Sequence, residues 1–275
     1  MTVARASRLA ALRGGTALVT GGASGLGFAY ARHLARLGMH VVVTSRDADR
    51  LEAAAGHLGM EGAASVRKMV VDLAQAGAAQ CIITNFPDVD LLVCNAGRGS
   101  PGAVADLDAE EAASTVAVNC LAPAHLSAGY LPRMVAQGRG GIIYVSSLMA
   151  FAGLPVMGHY SATKAYLLSL GQAVDAENRH LGVVTQVVCP GPIATPALDR
   201  YPIDLRHLPL PILTADAVVT ASMAGFGAGL VCVPGVRPRL AAMALDQPLL
   251  RPLARWLAGR WARRIVGLPS SVGRS

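Results

Sequence analysis

The sequence predicts an α/β protein: a doubly wound parallel sheet with helices on both faces. Three observations predict it. Apolar runs rich in β-branched residues recur without polar alternation, longer Ala- and Leu-rich segments separate them, and a cluster of glycines follows the first run. Strands that read as continuous apolar runs are buried on both faces, as in a parallel sheet covered by crossover helices. Right-handed crossovers then place helices on the two sides of that sheet.

Taken in order, the first strand is Thr16–Thr20, short and apolar, ending where Gly21 and Gly22 begin a turn. An Ala- and Leu-bearing helix is expected over 25–37, then a strand at His40–Ser45 with three consecutive valines. The Ala-rich segment 48–58 reads as a helix, Ser65–Val71 as a strand, 74–84 as a helix and Val89–Cys94 as a strand. A long helix over 109–137 leads to the strand Gly141–Ser146, and another over 159–181 leads to the strand Val183–Cys189. Residues 190–213 are proline-rich and irregular, long enough for a functional loop over a pocket. A helix over 215–227 and a short strand at Leu230–Val233 complete the alternation. Beyond Gly235 the pattern turns helical and basic.

At 275 residues and 53% hydrophobic, the chain supports one large core. The expectation is a single domain over 14–246, an N-terminal extension over 1–13 and a basic C-terminal tail over 247–275. Mean hydropathy is +0.44, yet no stretch reaches eighteen uninterrupted apolar residues. Ala217–Val233 comes nearest, but Thr220, Ser222 and three glycines interrupt it, so it reads as a helix followed by a strand. The first residues lack the apolar core of a secretory signal. Five cysteines show no CxxC spacing, and three lie in strand-like runs where cysteine acts as a small hydrophobe. A reducing, cytoplasmic interior fits them. The seven histidines show no metal-ligand spacing, and no metal is predicted.

The formal charge of +7 belongs to the two ends. Residues 1–13 carry three arginines and residues 247–275 carry six, with no acid in either segment. The remainder holds 15 basic against 17 acidic side chains, a balance that argues against a nucleic-acid partner for the body.

Thr20-Gly21-Gly22-Ala23-Ser24-Gly25-Leu26-Gly27 lies between the first strand and the first helix. Glycines let backbone approach a pyrophosphate, and a helix N-terminus offers free N–H groups and partial positive charge. The expected contacts are Gly21, Ser24, Gly25, Leu26 and Gly27. The second strand ends at Thr44-Ser45-Arg46, about twenty residues past those glycines. An acid at this place suits the ribose hydroxyls of NAD, whereas an arginine accommodates a 2′-phosphate. Ser45 stands where the acid is expected and Arg46 is adjacent, which favours NADP over NAD.

Tyr160 and Lys164 lie four apart in Tyr-Ser-Ala-Thr-Lys, with Ser147 thirteen residues upstream of Tyr160. Residues four apart on a helix share a face. An ammonium beside a phenol favours the phenolate, which yields a proton donor and acceptor usable near neutral pH. His159 points about 100° away on the same helix and reads as structural.

Together these residues resemble the short-chain dehydrogenase/reductase family, and the likeness runs from about Gly14 to Pro196. The glycine turn matches its Thr-Gly-x-x-x-Gly-x-Gly. Asp72-Leu73 looks like its adenine-contacting pair, and Asn95-Ala96-Gly97 matches its Asn-Ala-Gly element, with Cys94 where a second asparagine is frequent. Asn119 matches the helix asparagine that supports a proton relay. Ser147, Tyr160 and Lys164 match the catalytic set. Pro190-Gly191-Pro192-Ile193-Ala194-Thr195 resembles the segment that closes over the nicotinamide. The resemblance implies a Rossmann-type fold and hydride transfer between NADP(H) and a carbonyl or alcohol. Tyr160 is then the acid/base, Ser147 the donor to the substrate oxygen, Lys164 the ribose holder and Asn119 the support for a water. The competing reading is a nucleotide-binding scaffold or sensor without catalysis, which has no physical need for all three of Ser147, Tyr160 and Lys164.

Met149, Phe151, Leu154 and Met157, with Leu198, Tyr201, Ile203, Leu208 and Leu210, are expected to border an apolar substrate. Asp199, Arg200 and His207 are candidates for polar selectivity. The C-terminal part departs from the family pattern, which disfavours its usual tetramer and leaves a homodimer through 109–137 and 159–181. In the tail, Leu253, Leu257, Trp261 and Ile265 recur at i+4 steps among arginines. Such a helix can lie in a membrane interface, giving peripheral contact, or dock on its own domain.

Overall fold

A computed structural model describes residues 8–99, 101–196 and 209–265. Seven parallel strands form one sheet in the order β3-β2-β1-β4-β5-β6-β9. They are β1 Thr16–Thr20, β2 His40–Ser45, β3 Ser65–Val70, β4 Leu91–Cys94, β5 Gly140–Val145, β6 Val183–Val188 and β9 Val231–Cys232. Each corresponds to an expected strand to within two residues. The helices are α1 Gly25–Arg36, α2 Ala48–Met60, α3 Ala78–Asn85, α4 Ala109–Val116, α5 Ala122–Ala136, α6 Gly158–Asn178, α7 Ala215–Gly225, α8 Val236–Asp246 and α9 Arg251–Ile265. This is the doubly wound, Rossmann-type arrangement the sequence predicts.

Successive strand residues point to opposite faces, so each strand feeds two cores. Val19, Val43 and Val93 meet Tyr30, Leu34 and Leu51 on the α1, α2 and α7 side. Leu18, Leu92 and Tyr144 meet Ile82, Tyr130 and Leu167 on the α3, α5 and α6 side. Burying each large apolar side chain contributes roughly 1.5–3 kcal/mol, which is why unbroken apolar runs mark these strands. One buried polar pair satisfies itself. Ser222 Oγ donates to Gln186 Oε1 at 2.6 Å, and Gln186 Nε2 donates to the Ser222 carbonyl at 3.0 Å, joining α7 to β6.

The expected long helix over 109–137 is interrupted. A π turn at Ala117–Leu121 separates α4 from α5. Pro123 explains it: proline has no N–H, and its ring crowds the carbonyl four residues back, here that of Asn119. The helix expected from residue 74 starts instead at Ala78. Asp72 Oδ1 accepts from Ala74 N at 3.0 Å, and Gly77 takes a left-handed φ of 79° just before the helix. Two short strands, β7 Ile193–Ala194 and β8 Leu213–Thr214, pair within the segment expected to be irregular. Leu198, Asp199, Arg200, Tyr201, Ile203, His207 and Leu208 lie outside the described residues.

Beyond β9, α9 folds back on α8, and both reach the carboxyl end of the sheet. Among the described residues no helix is long and apolar enough to cross a membrane.

Candidate active site

The strand order reverses between β1 and β4, and the crevice above such a reversal is where α/β sheets bind ligands. Here the Thr20 hydroxyl and the Asn95 amide bridge the gap. Thr20 Oγ1 donates to the Val93 carbonyl at 3.3 Å and accepts from the Asn95 and Ala96 amides, both at 3.0 Å. Asn95 Nδ2 in turn donates to the Thr20 carbonyl at 2.9 Å and the Gly21 carbonyl at 3.3 Å. The glycine turn is thereby fixed over β1. A side chain at Gly27 would collide with the Gly21 carbonyl and the Asn95 amide, so only glycine lets α1 begin this close to β1. Ser24 caps α1 without using its side chain, which leaves an exposed hydroxyl beside the helix N-terminus. Thr195 lies over Gly25, where a Cβ would be 3.3 Å from Thr195 Cγ2. The segment after β6 therefore covers the turn.

At the end of β2, Asp47 is committed to α2. Its carboxylate accepts from Arg50 N at 3.0 Å and pairs with Arg50 Nε at 3.1 Å. Arg46 is exposed and pairs with neither Asp47 nor Asp49 among the described residues. Asp72 and Leu73 follow β3, with Leu73 turned against the sheet. A glycine cradle that admits no side chain, a free helix N-terminus and an uncommitted arginine fit the pyrophosphate and 2′-phosphate of NADP.

Ser147 follows β5 and caps the turn Leu148–Phe151. Its Oγ accepts from Met149 N at 3.2 Å, which leaves the hydroxyl proton available. Its neighbour Ser146 is buried and donates to the Lys164 carbonyl at 2.8 Å, so the thirteen-residue spacing picks the serine that is not tied to α6. Leu148 N donates to the Pro190 carbonyl at 2.8 Å and draws Pro190-Gly191 to the same place.

Tyr160 and Lys164 rise from the first turns of α6. Lys164 Nζ is 5.6 Å from the Tyr160 ring centroid and donates to the Val145 carbonyl at 2.9 Å. Lys164 is 3% exposed. Burial pushes its pKa down to about 8, against an upward pull from Cys120, Cys189 and Cys94. Burial raises those three thiols as well, so they stay protonated near neutral pH and the lysine is governed by burial.

Asn119 sits in the π turn, completely buried. Its Oδ1 accepts from Arg98 N at 2.9 Å, and its Nδ2 donates to the Arg98 carbonyl at 2.8 Å and to Thr163 Oγ1 at 2.9 Å. The amide clamps the loop after β4 to α6. Gly97 and Gly99 flank the clamped residue: a Cβ at Gly97 would be 3.3 Å from Lys164 Nζ, and one at Gly99 would strike the Tyr160 ring.

Ser147, Tyr160 and Lys164 share one cavity of about 610 Å³ with Leu26, Asn95, Gly97, Pro190, Gly191, Ile193 and Thr195. Met149, Leu154, Met157 and Leu210 line it as expected. Phe151 does not; it packs against the core on the α6 side. Val156 also lines it and holds a left-handed φ of 59°, with its carbonyl accepting from Gly102 N at 2.7 Å. Sequence reasoning allowed the tail to dock on its own domain, with Leu257 and Trp261 on the docking stripe, but did not foresee that it forms the opposite wall of the site. That wall is built by Ala241, Ala244 and Leu245 of α8 and Ala254, Leu257, Ala258, Trp261 and Ala262 of α9. Alanines at 254, 258 and 262 were the available signal, four apart on one face. Among the described residues no cluster of three or more His, Cys, Asp or Glu side chains could hold a metal.

The sequence profile described as short chain dehydrogenase matches residues 15–204. The 3-oxoacyl-(acyl-carrier-protein) reductase of Rickettsia felis is 29% identical over 189 residues, covering 69% of this chain and 77% of that protein. A short-chain dehydrogenase from Sphingobium yanoikuyae, solved in complex with NADPH, is 32% identical with a TM-score of 0.76, covering 83% of this chain and 92% of that one. The bulky-bulky ketone specific alcohol dehydrogenase of Comamonas testosteroni is 30% identical with a TM-score of 0.76, covering 87% and 94%. The chain thus belongs to the short-chain dehydrogenase/reductase family, as an NADP-dependent oxidoreductase that interconverts carbonyls and alcohols.

Proposed function

We propose that this protein reduces a bulky apolar ketone to an alcohol, with Tyr160 as the proton donor. One observation carries the reading: the hydroxyl-bearing Ser147 and Tyr160 face a cavity lined mostly by hydrocarbon, with Asn95, Arg98, Lys164 and Thr195 among its few other polar side chains. A bound nicotinamide cofactor supplies the hydride. Gly21, Ser24, Gly25, Leu26 and Gly27 hold its pyrophosphate, Arg46 its 2′-phosphate, and Asp72 and Leu73 its adenine end. Asn95, Ala96 and Gly97 form the floor beneath it, and Pro190, Gly191, Ile193 and Thr195 close over it.

Ser147 donates to the carbonyl oxygen, where negative charge grows during reduction. Tyr160 delivers its proton to that oxygen. Lys164, as a cation, favours the phenolate left behind and holds ribose hydroxyls. Asn119 sets the loop and α6 in register, and the second lone pair of its Oδ1 can anchor a water. The similarity to an enzyme described as specific for bulky ketones supports the substrate class. In the same reading the protein is cytoplasmic and works as a homodimer through α4, α5 and α6.

The test is a ketone panel with NADPH, read by loss of reduced-nicotinamide absorbance. Bulky apolar ketones should outpace small polar ones. Tyr160→Phe should lower kcat by about 10²–10⁴ with NADPH binding intact; a variant retaining most of its activity removes Tyr160 from the chemistry.

A further inference from the structure

The outward side of the α8–α9 hairpin is unlike the rest of the surface. Of seventeen large hydrophobic side chains exposed among the described residues, eight fall between Val236 and Leu257. On α8, Val236, Leu240 and Met243 follow an i, i+4, i+7 stripe that faces water, while Pro238, Ala242 and Leu245 turn inward. On the α9 side Leu249 is 94% exposed, and Leu253 and Trp256 stand out as well. Isolated surface leucines need no explanation, but a concentration like this marks an interaction site.

Its charge says what kind. Residues 236–265 contain seven arginines against the single acid Asp246. The Arg260 guanidinium lies 4.8 Å over the Trp256 ring, so the tryptophan carries its own cation. Exposed leucines with a tryptophan, surrounded by arginines, suit the boundary between anionic headgroups and acyl chains. The same hairpin is also the cavity wall. Leu257 belongs to both surfaces, lining the cavity while 43% exposed.

We propose that the α8–α9 hairpin seats the protein on an anionic membrane surface. Leu253 and Trp256 enter the acyl boundary, the arginines meet lipid phosphates, and an apolar substrate passes from the bilayer past Leu257 into the cavity. The last step rests on the proposed ketone reduction; the seating does not.

The experiment is flotation of the full chain with vesicles of phosphatidylcholine alone and of phosphatidylcholine mixed with phosphatidylglycerol. The protein should float with the mixed vesicles, be released by high salt, and stay behind with phosphatidylcholine. A Leu253→Asp/Trp256→Asp variant should lose flotation at least about tenfold while reducing a water-soluble ketone at the wild-type rate. Its rate on a ketone dissolved in mixed vesicles should drop. Equal flotation with both vesicle types, none with either, or a double variant that floats like wild type overturns the proposal. So does a double variant that turns a wild-type dimer into a monomer by light scattering, because the face then meets a second copy. Loss of all ketone reduction in wild type, with flotation intact, would sink the enzymatic reading and leave the seating.

Discussion

Gly99 lies flat against Tyr160: a Cβ there would be 3.1 Å from Tyr160 Cγ and closer still to Cδ2. The glycine therefore sets how far the phenol leans towards the cavity. Gly99→Ala should push the ring aside and cut kcat by about 10²-fold, the cost of roughly 1 Å of misplacement in a reacting group. NADPH affinity should hardly move. Stopped-flow turnover with a parallel binding titration checks it, and an unchanged kcat means that the ring position is not limiting.

Lys164 links pH to two properties of the free protein in opposite directions. Its pKa is near 8 when folded against an ordinary 10.5. Below pH 8 both states hold the proton and stability is flat in this group. Between about 8 and 10.5 the unfolded chain binds the proton that the folded chain has lost, so stability should rise with pH. Over the same window the lysine is neutral, so NADPH affinity should fall, approaching tenfold per unit. Melting and binding curves from pH 7 to 10 test this. Lys164→Met should flatten both trends.

Pro123 deprives the Asn119 carbonyl of its helical partner. Pro123→Ala should restore a regular turn through 117–121 and raise Tm, since an interior proline costs about 3 kcal/mol in a helix. The amide of Asn119 would then shift from Arg98 and Thr163, and kcat should drop. A higher Tm with unaltered kcat would show that the π turn is a matter of folding alone.

Arg46 carries the choice of coenzyme. Arg46→Ala should weaken NADPH by about tenfold to a hundredfold, the worth of charge-assisted hydrogen bonds, and leave NADH within about threefold. Equal losses for both coenzymes would disprove a 2′-phosphate contact.

The sheet was legible because its central strands are apolar on both sides, as in His40–Ser45 or Val183–Val188, whereas the edge strand Ser65–Val70 carries Arg67 and Lys68 and is not buried. Ser147, Tyr160 and Lys164 were legible because their spacing repeats a known arrangement, and the structure brings them to one cavity. The π turn was hidden because helical composition continues through 117–121, and only Pro123 marks the defect. β7 and β8, two residues each, are too short to show any period. The α8–α9 wall escaped because Ala254, Ala258 and Ala262 look like helix filler. Their smallness matters only once α9 is seen to close the cavity.

Ser146, just past β5, reaches to the backbone of Lys164, and Lys164 reaches back to Val145. These reciprocal ties brace the proton-handling half of the cleft like a truss, whereas the facing half is a separate leaf of chain from beyond β9. Mutations in that leaf can reshape what the protein accepts without disturbing alignment at the reacting bond. New substrates are therefore within evolutionary reach by rewriting one side alone.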